Sequence, residues 1–453
     1  MRTFKNLFFF TLLIALFSCQ QKSEPTVHLS GQLIDLSSGN QVVMSYNGAS
    51  SLLGKSRDIA ITTDKSGYFD TTFVLTEPGY YSLSRNTIYL SPGDDLMVKI
   101  TNRNTEAEFS GTSAEINTYM KGRLFPKGGS FLEAGRNIIG DFETTKAFID
   151  SAAMTRQAEL DALQSTDSKF KELESMRILA DQINSYISFY SYAGYAIRQK
   201  GLDFELPERE DFMKSLTPIV APMLSQLNSA EYLDVAVVRD IFSYTSNDEL
   251  KDIWFNGLTI PERTKELFEA SDYSDKLSGS VSPELIDEVT VFANNMANQD
   301  FANEMIKKIE SASKLLPGRP AIDIEIEDTD GKMVKISDFR GKVIYLDFWA
   351  TWCGPCIQES PFFESIAKQF EGKEVVFLPI STDKGKKEWL DYLAAHEKQL
   401  KQYHTVDKNL SEGWDLKFIP RFILIDKDFN IANAYATRPS EKNTVEIIES
   451  LLD

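Results

Sequence analysis

Val343 to Trp349 is a nearly continuous apolar run, broken only by Asp347, and it leads within three residues into Trp352-Cys353-Gly354-Pro355-Cys356. A run of this kind suits a strand covered on both faces, which points to an α/β arrangement around it. The cysteine pair follows the strand and opens a helix, with Pro355 near the first helical positions, where proline is tolerated. That placement has a chemical consequence. The thiolate is the nucleophile of disulfide exchange, and the partial positive charge at a helix N-terminus stabilises it, so Cys353 is expected to have a lowered pKa. Cys356 lies one turn further on, more sheltered and within reach of the first sulfur, so the pair can cycle between dithiol and disulfide.

The chain's other cysteine is Cys19, so a disulfide-stapled scaffold is excluded. Zinc or an iron-sulfur cluster would require about four Cys or His ligands. The C-terminal region offers two cysteines plus His396 and His404 on a separate segment, so no metal is expected. The pattern Pro-x-x-x-Thr-x-x-Cys of peroxiredoxins is absent, because Thr351 stands two before Cys353 and the proline is missing. Lys384, Lys386 and Lys387 read as a solvated basic loop.

With 453 residues, the chain suggests about three folded units at roughly 150 residues each. Its 48 Lys and Arg against 67 Asp and Glu give a net charge of −19, which argues against nucleic-acid binding, since phosphate neutralisation needs a basic face. Hydrophobic residues at 42% indicate neither disorder nor a polytopic membrane protein.

Residues 1–18 read as an export signal: Arg2 and Lys5 precede an apolar run from Leu7 to Phe17. The run is shorter than the about 20 residues of a spanning helix but suits a signal-peptide core. It ends Leu16-Phe17-Ser18-Cys19, which resembles the lipobox of bacterial lipoproteins; the resemblance implies cleavage before Cys19 and a diacylglycerol on its sulfur. The alternative is ordinary secretion with Cys19 as a free thiol. Residues 19–26 read as a tether. An acidic chain gains nothing electrostatically from an anionic membrane, so lipid alone would hold it at the cell envelope, facing the periplasm.

Three regions follow. Residues 27–111 read as short strands, among them Val42 to Tyr46, Tyr68 to Leu75 and Leu96 to Ile100, separated by turn signals such as Ser91-Pro92-Gly93-Asp94. This spacing predicts a small antiparallel β-sandwich. Residues 112–316 switch to helical periodicity, with Ile183, Ile187, Tyr190, Gly194 and Ile197 on one stripe, and predict an all-α domain. Tyr186, Tyr190, Tyr192 and Tyr195 read as helix-helix core rather than a partner groove. In residues 317–453 a hairpin through Asp330-Gly331, the Val343 strand, a helix after the cysteines and later strands near Val375, Arg421 and Ile431 predict an α/β sandwich with mixed strand directions. The fold class expected is therefore multidomain α+β.

Asp347-Phe348-Trp349-Ala350-Thr351-Trp352-Cys353-Gly354-Pro355-Cys356 resembles the active-site segment of thioredoxin, with Pro361 at the position of its helix-kinking proline and Ile419-Pro420 at that of its cis-proline. The longer pattern from Asp330-Gly331-Lys332 through Gly341-Lys342 to Cys356, Glu359 and Pro361 resembles membrane-anchored thioredoxin-like reductases of the TlpA and ResA type. The likeness covers residues 317–453. The β region resembles a domain of unknown function found ahead of thioredoxin modules in bacterial lipoproteins, and brings no chemistry with it.

The resemblance implies a thiol-disulfide oxidoreductase in which Cys353 attacks and Cys356 resolves. Trp352, Gly354, Pro355, Ile419 and Pro420 would contact a protein disulfide substrate. It also implies re-reduction by a membrane thiol donor of the DsbD or CcdA type, with the Cys353–Cys356 disulfide as the redox group and no cofactor. A carboxyl in a buried strand has a raised pKa, so Asp347 can take the proton of Cys356; the alternative is a core aspartate satisfied by hydroxyls. Glu359 either tunes the pair or is an exposed helix-face charge. Trp349 and Trp414 read as packing residues. Arg421 departs from the threonine usual in these reductases, and Val375 to Leu378 carries no lysine to partner Asp347. The Gly-Pro dipeptide matches thioredoxin, whose potential is about −270 mV against about −120 mV for strong oxidants, which favours reduction. An isomerase or oxidase, or an envelope binding protein with a secondary thioredoxin module, are the other readings.

Overall fold

The computed structural model describes residues 25–34, 36, 41–122, 130–246 and 248–452; the leader and Cys19 lie outside the described residues. The fold is mixed α/β. The described residues cluster into two units, one drawn from 1–44, 60–123 and 163–165, the other from 45–59, 124–162 and 166–453.

The first unit is built around eight strands: β1 Thr26–Leu33, β2 Gln41–Tyr46, β3 Ile59–Thr62, β4 Tyr68–Val74, β5 Gly79–Leu83, β6 Asn86–Leu90, β7 Asp95–Ile100 and β8 Glu108–Gly111. They form two sheets in the orders β4-β1-β7-β8 and β3-β2-β5-β6. Period-two burial is clear in β7, where Leu96, Val98 and Ile100 are buried between exposed Asp95, Met97 and Lys99. The expectation of purely antiparallel pairing fails at β1, which is antiparallel to β4 but parallel to β7. Its two neighbours run in opposite directions, so a strand between them must be parallel to one. Gly31 allows the close approach: a Cβ there would stand 1.8 Å from the Val98 carbonyl oxygen. The edge strand β6 is covered by the short helix Ala114–Met120. Asn117 on that helix accepts from the Tyr89 N–H at 2.9 Å and donates to the Tyr89 carbonyl at 3.0 Å, taking the place of a further strand.

The second unit begins with long helices. Asp141 and Asp167 cap Phe142–Asp161 and Ser168–Lys200, and Gly201 in the left-handed conformation closes the latter. Tyr186 is buried in its packing face, whereas Tyr195 points to solvent. Two ion pairs lie in this interior, Arg156–Asp181 and Glu174–Arg177, each at 2.6 Å. Helices Glu262–Gly279, Pro283–Asn295 and Gln299–Ser313 form a further cluster around Leu267, Val289 and Met305, which also takes in Ala49 and Leu53.

The rest of this unit is a seven-stranded sheet: β9 Glu325–Asp328, β10 Met333–Lys335, β11 Val343–Trp349, β12 Val375–Ser381, β13 Tyr403–His404, β14 Arg421–Ile425 and β15 Ile431–Asn433, in the order β10-β9-β13-β12-β11-β14-β15. Every residue of β11 is buried, as its apolar run predicts. It pairs parallel with β12 and antiparallel with β14. Ile344, Leu346 and Phe348 enter one core cluster, while Val343 and Tyr345 enter another with Phe363 of the helix Gly354–Gln369. By the same alternation Asp347 belongs to the helix-facing side, where β11 delivers the chain to the cysteines.

Candidate active site

The loop between β11 and the helix Gly354–Gln369 is held before the cysteines begin. Asp383, buried just past the end of β12, accepts from the Thr351 N–H at 3.0 Å, the Thr351 hydroxyl at 2.8 Å and the Ser381 hydroxyl at 2.7 Å. The Thr382 N–H donates to the Trp349 carbonyl at 2.8 Å. Because β11 and β12 run parallel, their C-terminal ends meet, and the second strand's end steadies the loop leaving the first.

Cys353 is the N-cap residue of the helix, and its sulfur accepts from the Cys356 N–H at 3.3 Å. The two cysteines form a disulfide, with Cα atoms 5.3 Å apart. Cys353 is 3% exposed and Cys356 1%. Gly354 and Pro355 open the helix beside them. The side chains packed on the pair are Trp349, Ala350 and Trp389, with Ile419 against the same cluster. Trp352 is 73% exposed, so the shielding of the pair comes from Trp349 and Trp389.

Asp347 is buried, and its Oδ1 has no hydrogen-bond partner among the described residues. The alternative of a core aspartate satisfied by hydroxyls does not describe that oxygen. Burial pushes its carboxyl from 3.8 up to about 8; Lys398 opposes the shift and Glu359 adds to it. The cation that Val375 to Leu378 lacks thus comes from another element. Lys398 lies beyond the helix Lys386–Ala395, donates to the Ser360 hydroxyl at 2.7 Å and stands 5.6 Å from the Trp349 ring centre. Glu359 is buried rather than an exposed helix-face charge, and accepts from the Ser440 N–H at 3.1 Å and hydroxyl at 2.9 Å.

The Ile419–Pro420 peptide is cis. Phe418 before it is 77% exposed. Arg421 after it donates from Nε to the Ala434 carbonyl at 2.7 Å and lies 3.5 Å from the Tyr435 ring centre, so it is a buried β14 residue. His396 stacks on Tyr392 and His404 on Trp389. Among the described residues no group of three or more His, Cys, Asp or Glu stands together to hold a metal ion, and no helix is long and apolar enough to cross a membrane.

Sequence reasoning missed Asp383, Lys398 and Trp389. Only Asp383 left a local signal, the Ser381-Thr382-Asp383 turn at a strand end.

The AhpC/TSA family matches residues 317–449. The thiol-disulfide oxidoreductase ResA of Bacillus subtilis is 27% identical over 111 residues, 24% of this chain and 62% of that protein. ResA of Bacillus thuringiensis subsp. konkukian is 28% identical over 126 residues, 28% of this chain and 61% of that protein. The chain therefore spans about three fifths of the length of these curated relatives. The crystal structure of a candidate thiol-disulfide oxidoreductase from Bacteroides vulgatus is 60% identical, covering 31% of this chain and 99% of that one, with a TM-score of 0.31.

Proposed function

We propose that this chain, whose residues 317–449 match the AhpC/TSA family, is a thiol-disulfide oxidoreductase that reduces protein disulfides through Cys353 and Cys356. One observation carries the reading: a buried disulfide sits at a helix N-terminus, and the strand that leads into it carries a buried aspartate whose proton is held to about pH 8.

In the reduced enzyme the Cys353 thiolate, stabilised by the helix N-terminus, attacks one sulfur of a substrate disulfide. A bond forms between Cys353 and that sulfur, the substrate S–S bond breaks, and the other substrate sulfur leaves as thiolate. Asp347 then takes the proton of Cys356. The Cys356 thiolate attacks the Cys353 sulfur, and the second substrate sulfur leaves. The substrate has gained two electrons and the enzyme holds the Cys353–Cys356 disulfide. Two electrons from a membrane thiol donor of the DsbD or CcdA type return it to the dithiol, and the pair needs no other cofactor. Exposed Trp352, with Gly354, Pro355, Ile419 and Pro420 around the pair, forms the surface that receives the substrate.

The same proposal sets the enzyme at the cell envelope, with a lipid on Cys19 and the catalytic region facing the periplasm. The Leu7 to Phe17 run and the Leu16-Phe17-Ser18-Cys19 sequence support it. It reads residues 27–111 as a β-sandwich, 112–316 as a helical domain and 317–453 as the redox domain. The test is a trap. Cys356→Ser should accumulate mixed disulfides through Cys353, visible on a non-reducing gel and lost on reduction. If neither this variant nor the parent exchanges with any disulfide, the reading is wrong.

A further inference from the structure

The segment that ends in Ile419–Pro420 is gripped from outside the redox domain's own sheet. Lys308, on the helix Gln299–Ser313, is buried, and its Nζ donates to Asp415 Oδ2 at 2.6 Å and to the Ser278 hydroxyl at 2.7 Å. Ser278 lies near the end of the helix Glu262–Gly279, so one ammonium ties two helices to the loop. Asp415 has φ +47°, a left-handed conformation that aspartate tolerates better than most residues. Lys417 Nζ stands 3.8 Å from the same carboxylate. On the far side of the proline, the Tyr435 hydroxyl donates to the Leu277 carbonyl at 3.0 Å while Arg421 lies against the Tyr435 ring. The stretch from Asp415 to Arg421 is thus anchored at both ends to the helix Glu262–Gly279, and between the anchors stand exposed Phe418 and Ile419, the latter packed beside the cysteine pair.

A buried ammonium shared between a carboxylate and a hydroxyl is costly to desolvate and is held only where its geometry is fixed. Here it fixes the loop that borders the disulfide. We propose that the helices Glu262–Gly279 and Gln299–Ser313 act as a positioning frame for the Phe418–Pro420 loop, with Lys308 as the positioning residue that sets how an extended protein substrate docks beside Cys353. The inference rests on the oxidoreductase reading for its catalytic consequence, but the grip itself does not. A small disulfide reaches the sulfurs without using the loop, whereas a polypeptide needs it, so the two substrate sizes report differently on Lys308.

The experiment compares the full chain with Lys308→Met and Lys308→Arg. It uses insulin as the protein disulfide, oxidised glutathione as the small one, and backbone amide exchange over residues 415–421. For Lys308→Met, KM for insulin should rise on the order of tenfold with kcat little changed, within the loss a displacement of about 1 Å can cause. The glutathione rate should be unchanged, and Lys308→Arg should restore most of the insulin KM. Exchange over 415–421 should quicken while 343–349 stays protected. Asp415→Asn, which suits the same backbone conformation and removes the ion pair, gives the same shifts should Lys308→Met fold poorly. Unchanged exchange over 415–421 in both variants overturns the proposal, as does an equal loss on insulin and glutathione. A parent chain that reduces neither disulfide while its variants still loosen 415–421 leaves the frame standing and removes the oxidoreductase reading instead.

Discussion

The helical part of the second unit and its C-terminal sheet both bury acidic side chains, and they differ in the cation set against them. Between the long helices, Asp181 meets Arg156 and Glu174 meets Arg177, each at 2.6 Å. In β11, Asp347 has an oxygen with no hydrogen-bond partner among the described residues and only the more distant Lys398 and Glu359 acting on it. A buried carboxylate with an arginine against it is an ion-pair element of the packing. One without is a proton store, because burial is the largest influence on its charge. Breaking a pair and neutralising the store should therefore have separable consequences.

The largest effect should come from the paired side. Arg156→Met leaves Asp181 as an uncompensated buried charge and is expected to cost about 3–5 kcal/mol of stability. Chemical denaturation reads the cost, and turnover per folded molecule should be unchanged. A drop in turnover without loss of stability would break the contrast from that side.

The unpaired side gives the next. Asp347→Asn keeps the shape and removes the base, so release of substrate from the Cys353 mixed disulfide should slow on the order of a hundredfold. Rapid-mixing kinetics on the preformed mixed disulfide isolates this step. The parent's rate should rise with pH toward about 8, where Asp347 loses its proton, and the variant should lack that inflection.

The most gradual effect, spread over several pH units, is on stability against pH. In the folded chain Asp347 keeps its proton up to about 8, whereas a free aspartate loses it near 3.8. The folded state thus carries the extra proton between those values. Its contribution to stability is fully present below the lower one and is lost as pH rises toward the upper, at most about 1.4 kcal/mol per pH unit. Denaturation of the oxidised protein across this range should show the decline in the parent and a flatter profile in Asp347→Asn.

What could be read from the chain beforehand follows the range of the interactions involved. The β11 run, the helix-opening cysteine pair, Asp347 and Ile419–Pro420 are encoded by neighbours in sequence, and the structure places each beside the pair or on the strand leading to it. Asp383, marked locally only by its turn, and Lys398, with no local mark, reach the site through the parallel pairing of β11 with β12 and the segment after the helix Lys386–Ala395. The two-residue β13 is too short for any periodicity, yet it joins β12 to β9. The parallel β1–β7 pair escaped for the same reason, since the strands are far apart in the chain and each looks like an ordinary hairpin member. The burial of Glu359 depends on Ser440, distant in sequence, so its helix position alone left two readings open.

The account stands on the acidity of one sulfur at the N-cap of the helix Gly354–Gln369. The most direct test is the rate of alkylation of Cys353 by iodoacetamide in the reduced protein as a function of pH, with Cys356→Ser to isolate that thiol. The account predicts a midpoint clearly below the about 8.5 of an ordinary cysteine. A midpoint at or above that value would contradict it.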